Sequence, residues 1–272
     1  KTILRLLPDS ARIKSGNIMF KGQDICHLSE KDFNDQIRGQ EVAMVIQNPQ
    51  NALNPVFKVG TQILDVLYFR SKKKKKRKEL KSEAIDILKK VGISDPEYRF
   101  KEYPHQFSGG MKQRVMLAMA FISNPSLLIA DEPTTALDLT VEAQILNLLA
   151  NLVEEYKTSI LYISHDLGVV AGLSDRIAVM YAGRIVEVAQ TEALFDDPNH
   201  PYTEALLNCL PDYQKTEKLQ TIPGRVPDLG ENPGGCNFHP RCSYSFERCR
   251  KEDPELKKIA SNHLSACFLN ES

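Results

Sequence analysis

The chain has 272 residues, with 35 basic and 35 acidic side chains and a hydrophobic fraction of 42%, a globular composition long enough to bury a substantial core. The balanced charge points to neither nucleic acid nor an anionic surface as partner. No apolar run reaches the ~18 residues that a spanning helix needs, and no charged-then-apolar leader opens the sequence, so the expected compartment is the cytoplasm. Six cysteines are too few for a disulfide scaffold at this length, and in a reducing compartment a local cluster of them suggests metal.

Residues 1–7 (KTILRLL) read as the end of an amphipathic helix stopped by Pro8. From Ser15 the run GNIMFKGQDI predicts a β-hairpin with Gly22 in the turn. Residues 41–46 (EVAMVI) form an apolar strand that ends in Gln47. Between residues 57 and 106 the pattern turns helical and charged, and it contains KKKKKRK at 72–78. That run reads as a solvated, self-repelling loop, with acidic lipid headgroups as the alternative contact.

Two motifs then carry chemistry. In Phe107-Ser108-Gly109-Gly110-Met111, Ser108 is placed as the N-cap of a helix running to Asn124. Its hydroxyl and the unobstructed amides of Gly109 and Gly110, at the positive end of a helix dipole, suit a phosphate oxygen. Alone, such a glycine turn is more often simple punctuation. After it comes the apolar run Leu127-Leu128-Ile129-Ala130, suited to a buried parallel strand, with Asp131 and Glu132 at its carboxyl end. One carboxylate there can hold Mg²⁺ while the other polarises an attacking water.

A helix over residues 141–156 presents Ile145, Leu148, Leu149 and Leu152 on one face. The strand at 159–164 delivers His165, placed to donate a hydrogen bond to a γ-phosphate. Residues 176–188 predict two strands around Ala182-Gly183. Beyond Glu192 the proline density rises, which suggests an irregular appendage. That tail carries Cys236, Cys242, Cys249 and Cys267, spaced C-x5-C-x6-C-x17-C. Four thiolates in a loop-rich segment can enclose a [4Fe-4S] cluster or a zinc ion, or stay unligated. His239 and His263 are near enough to substitute as ligands, although ordinary surface histidines are the simpler reading.

Phe107-Ser108-Gly109-Gly110-Met111-Lys112-Gln113-Arg114 resembles the signature motif of ATP-binding cassette (ABC) ATPases, Asp131-Glu132-Pro133 their Walker B motif and Ala136-Leu137-Asp138 their D-loop. The resemblance implies an α/β, P-loop NTPase-like cassette with a mostly parallel sheet and a helical subdomain at about 57–106. On this reading residues 1–192 form the nucleotide-binding domain and residues 193–272 an irregular, cysteine-containing extension. It further implies ATP and Mg²⁺ as ligands, Glu132 as general base and Asp131 as Mg²⁺ partner. Gln47 (the Q-loop) and His165 would position water and γ-phosphate, while Ser108, Gly109, Gly110 and Met111 would face the ATP of a neighbouring cassette.

Asn199-His200-Pro201-Tyr202-Thr203 and Pro223-Gly224-Arg225-Val226-Pro227 resemble the carboxyl-terminal extension of ATPases from the peptide and nickel importer group, some of which hold a [4Fe-4S] cluster there. Met111 resembles the D-type subunit, which pairs with a different, F-type ATPase. The implied assembly adds two transmembrane permease subunits and an extracytoplasmic binding protein, with this chain peripheral on the cytoplasmic face of the membrane. The implied function is to power import of oligopeptides or dipeptides. A nickel or glutathione importer, and a non-transport iron-sulfur protein with a degenerate cassette, are the alternatives. A phosphate-cradling G-x-x-x-x-G-K-[ST] run does not occur in these residues, so the sequence reads as amino-terminally truncated, and these 272 residues alone are expected to be inactive.

Overall fold

The computed structural model describes residues 1–47, 52–71, 75–76, 78–135, 137–210, 221–227 and 233–271. Asn48 to Asn51 after Gln47, four members of the basic run and Ala136 of the D-loop lie outside them. The chain divides into two compact units, Lys1–His165 and Asp166–Ser272.

In the first unit, residues 1–7 form one 3-10 turn over Thr2–Leu4, not the end of an α-helix. Arg5 ends it in a left-handed conformation and donates to the carbonyls of Ile25, Cys26 and Leu28. The hairpin is present as β1 (Met19–Phe20) and β2 (Gln23–Asp24), with Lys21 and Gly22 both at positive φ in the two-residue turn, the backbone twist that joins antiparallel strands. After α1 (Glu30–Gln36), β3 (Val42–Val45), β4 (Leu127–Asp131) and β5 (Ser159–Ile163) form a parallel sheet in that order.

Strands β3 and β4 are buried on both faces, as parallel strands usually are. Val42 and Ile129 meet Leu4, Ile25, Phe33 and Ile37 on one side. Ala43, Val45 and Leu128 face the larger core on the other. That core takes Ile63 and Leu67 from α2 (Val59–Arg70) and Ile87 and Leu88 from α3 (Lys81–Lys90). The short α4 (Pro96–Arg99) follows. Val115, Leu117 and Phe121 come from α5 (Gly109–Phe121), and Ile145, Leu149 and Leu152 from α6 (Leu139–Tyr156). Each such side chain removed from water contributes about 1.5–3 kcal/mol, so the signature helix α5 is fixed by its apolar face, whatever its amino end does.

The second unit starts with α7 (Leu167–Leu173), then β6 (Arg176–Tyr181) and β7 (Arg184–Gln190) around a left-handed Ala182-Gly183 turn. Helices α8 (Thr191–Asp196), α9 (Pro201–Leu207) and α10 (Glu247–Lys251) precede β8 (Lys257–Ala260) and β9 (His263–Ser265). These strands make an antiparallel sheet in the order β6-β7-β9-β8. The tail therefore shares a sheet with residues that precede it, and the expected boundary at residue 192 falls inside the second unit.

His263 is buried rather than a surface histidine. Its Nε2 lies 2.7 Å from Oε1 of the fully buried Glu187, which also accepts the backbone N–H groups of Asn199 and His200 at 2.7 and 3.1 Å. Because a carboxylate can only accept, His263 carries its proton on Nε2.

Candidate functional site

The parallel register sets the site. Val45 stands opposite Ala130, and Ala130 opposite Tyr162. The next residues of all three strands therefore emerge together at the carboxyl end of the sheet, where open α/β sheets place their ligands. Gln47, Glu132 and His165 leave from there, and their side chains meet.

Glu132 is the centre of the group. Gln47 Nε2 donates to its Oε2 at 2.6 Å, Thr135 Oγ1 donates to the same oxygen at 3.1 Å, and His165 Nδ1 donates to Oε1 at 3.0 Å. A carboxylate accepts, so the His165 proton is on Nδ1. The Glu132 backbone N–H reaches Ile163 O at 2.9 Å, and its φ of 44° is left-handed. For a residue with a Cβ that conformation costs about 1–2 kcal/mol, and residues held this way cluster at functional sites. Asp131 is the last residue of β4, in register with Ile163, and Glu132 is the next residue of the chain, so two carboxylate-bearing residues stand consecutively at the carboxyl end of the strand. Hard oxygen donors of this kind, few in number and completed by phosphate oxygens, suit Mg²⁺.

Ser108, Gly109, Gly110 and Met111 form a second cluster. Ser108 caps α5, its hydroxyl accepting the N–H of Met111 at 3.3 Å. The Met111 side chain is partly buried against the core. A Cβ on Gly110 would stand 2.7 Å from Val141 Cγ1, and one on Gly109 3.6 Å from Leu137. The glycines thus lie against the D-loop and the first turn of α6. Asp138 caps that helix, accepting the N–H of Val141 at 3.0 Å. Among the described residues no hydrogen bond joins this cluster to Glu132. Sequence reasoning missed Thr135 and the left-handed turn at Glu132. Neither has a compositional signal, since threonine in a turn is ordinary and the turn uses no glycine.

Cys236, Cys242, Cys249 and Cys267 all line one cavity of about 20 Å³, together with His200, His239 and Phe238. That is room for about one water. Among the described residues no group of three or more His, Cys, Asp or Glu is arranged to hold a metal ion, which departs from the expected cluster. Burial pushes the thiols of Cys236 and Cys242 up and that of Cys267 up to about 11, each also raised by neighbouring cysteines. The donor chemistry of four cysteines around one cavity fits a thiophilic metal.

Comparisons with known proteins show the family. The family model described as ABC transporter matches residues 1–135, and that described as oligopeptide/dipeptide transporter, C-terminal region, matches residues 186–249. The chain is 46% identical over 270 residues to a probable peptide ABC transporter ATP-binding protein, y4tR, of Sinorhizobium fredii, covering 98% of this chain and 80% of that protein. It is 46% identical to the oligopeptide transport ATP-binding protein OppD of Bacillus subtilis (99% and 75% covered) and 45% identical to the dipeptide transport ATP-binding protein DppD of Escherichia coli (97% and 80%). A solved dimer of the ATP-binding cassette MJ0796, in a post-hydrolysis state with ADP and Pi, aligns with a TM-score of 0.59 and 25% identity over 70% of this chain and 79% of that one.

The fold is that of an ABC cassette, a P-loop NTPase architecture with a parallel sheet. The chain belongs to the oligopeptide/dipeptide family of ABC transporter ATP-binding proteins.

The carboxyl of Glu132 is held below the usual carboxylate range, first by the hydrogen bond from His165 and then by those from Thr135 and Gln47, against burial that pushes it up. A depressed pKa in the folded protein means that the ionised form stabilises the fold. That contribution is present above the unfolded glutamate value of about 4.3 and is lost as pH falls through the lowered one. In a ¹³C NMR titration the Glu132 carboxyl is expected to titrate below an exposed glutamate, with His165→Ala raising its midpoint more than Thr135→Val. A normal midpoint unmoved by either change would contradict the geometry.

Proposed function

We propose that this chain binds and hydrolyses ATP to power import of oligopeptides or dipeptides through a membrane complex. The observation that carries the reading is the convergence of Gln47, Thr135 and His165 on the carboxylate of Glu132, the residue that follows Asp131 at the end of β4. Glu132 acts as general base toward the attacking water, as a carboxylate at the end of the strand that carries the nucleotide site can. Asp131 serves bound Mg²⁺, which supplies charge neutralisation on the phosphates. Gln47 and His165 orient the water and the γ-phosphate. Ser108, Gly109 and Gly110, with Met111 behind them, serve the ATP of a second cassette, which is a different, F-type chain.

Peptides as cargo rest on what the relatives are named for: peptide, oligopeptide and dipeptide transport. Among the described residues no helix is long and apolar enough to cross a membrane, so two permease subunits supply the path and this chain sits peripherally on their cytoplasmic face. A groove of about 970 Å³ is the surface assigned to the permease. It is lined by Phe57, Val66 and Phe69 and flanked by Arg38, Asp65 and Arg70. Phe57 and Phe69 are 52% and 62% exposed, an unusual cost for a monomer surface unless a partner covers them. A binding protein outside the membrane delivers the cargo.

The test uses the assembled transporter, because the phosphate-cradling run does not occur in these 272 residues. Glu132→Gln is expected to lower ATP turnover and peptide uptake by roughly 10²–10⁴-fold, the range of a general base, while ATP binding persists. Undiminished turnover would refute the assignment.

We further infer that the four cysteines around the small cavity bind a [4Fe-4S] cluster that pins the tail. Support comes from all four thiols lining one cavity. Anaerobically purified protein is expected to show broad visible absorption that bleaches with dithionite and disappears in Cys242→Ser. Stoichiometric zinc without colour would replace the cluster with a zinc site, and neither metal would leave four structural thiols.

A further inference from the structure

The turn that presents Glu132 is held from outside itself. Within it, Thr135 Oγ1 also reaches Glu132 O at 3.3 Å, and Leu137 N–H reaches Thr134 O at 3.0 Å. These local bonds do not fix the turn to the rest of the protein. Besides the bonds that Gln47 and His165 make to the Glu132 carboxylate, two hydrogen bonds among the described residues do. One is the Glu132 N–H to Ile163 O of β5. The other runs from Thr134 Oγ1, on a side chain only 6% exposed, to Oε1 of Glu142 at 2.6 Å.

Glu142 lies in the first turn of α6, where a negative charge is favoured by the helix dipole. Its chain neighbour Val141 is the residue whose Cγ1 lies over Gly110. One helical turn thus touches both the loop of the proposed general base and the signature glycine proposed to face a neighbour's ATP. A left-handed non-glycine residue persists only where its surroundings over-determine it, and the partly buried Thr134–Glu142 bond is one side-chain part of that constraint.

We propose that Glu142 is a positioning residue for hydrolysis, holding the left-handed turn at Glu132 through Thr134. This rests on the assignment of Glu132 above. It adds a residue whose proposed role runs through Thr134 and not through the nucleotide or Mg²⁺. Glutamine at this position keeps a carbonyl oxygen that accepts the Thr134 hydroxyl, whereas leucine does not. The function of Glu142 is therefore in accepting a hydrogen bond, not in its charge.

The experiment measures steady-state ATP turnover in the assembled transporter, with Glu132→Gln as control and the unfolding midpoint of each variant recorded. Glu142→Leu is expected to lower kcat about tenfold, the rate equivalent of one hydrogen bond, with KM for ATP unchanged. Glu142→Gln restores most of the rate. Thr134→Val, which keeps volume and removes only the hydroxyl, shows the same kcat loss, and Thr134→Ser recovers it. The double variant Thr134→Val/Glu142→Leu is no slower than Glu142→Leu, because both remove one bond.

Should Glu142→Leu not fold, the Thr134 pair decides alone. Full kcat in Thr134→Val, equal loss in Glu142→Gln and Glu142→Leu, or additive losses in the double variant would overturn the proposal. Turnover surviving Glu132→Gln would instead overturn the hydrolysis reading itself, and the two failures are thereby distinguished.

Discussion

A carboxylate held in a strained turn is the constraint on which the first unit depends. Glu132 adopts a left-handed φ at the end of a buried parallel strand, and its side chain gathers donors from the ends of two neighbouring strands. The arrangement requires β3, β4 and β5 to keep one register. A slip of a single residue would turn every side chain to the opposite face and carry Gln47 or His165 away from it. The packing that forbids the slip lies deeper in the sheet, where Val42 and Ile129 face one core and Val45 and Leu128 the other. Precision at the site is thus inherited from apolar burial several residues away.

The helices extend the same logic to the signature cluster. Val115, Leu117 and Phe121 anchor α5 in the core shared with α6, which brings the glycines at its amino end against Leu137 and Val141. The glycines are needed twice. Their open amides suit a phosphate, and at Gly110 a methyl group would displace Val141. In the second unit another carboxylate, this one buried, organises the chain. Glu187 is fully enclosed and accepts three donors, two of them from the Asn199-His200 turn and one from His263 on β9. Removing one donor would leave a buried charge under-compensated, which is more costly than never having buried it.

Much of the site was legible in the sequence because its parts are local. Ser-Gly-Gly before an apolar helix predicts a capped terminus, and Ser108 caps α5. An apolar run ending in two carboxylates predicts a buried strand, and β4 ends at Asp131. The Ala182-Gly183 turn between two alternating strands was readable in the same way. What could not be read depends on distant partners. The three residues of β9 are too few for a periodicity to register, so the tail looked irregular although it completes a sheet. His263 looked exposed because its partner Glu187 is 76 positions away. The opening residues looked helical from their apolar spacing, but only Thr2–Leu4 turn before Arg5 goes left-handed. Four cysteines announce themselves by number, whereas whether they stand as ligands or as protonated thiols is a matter of ångströms. Thr134 and Glu142 carry no pattern at all, and only their contact gives them meaning.

The most direct test of the account is a structure of the assembled transporter with an ATP analogue and Mg²⁺ bound. The account predicts Glu132 still left-handed, its carboxylate within hydrogen-bond distance of a water in line with the γ-phosphate, Asp131 beside the metal, and Thr134 still joined to Glu142. A Glu132 carboxylate turned away from the γ-phosphate, with no water between them, would contradict it.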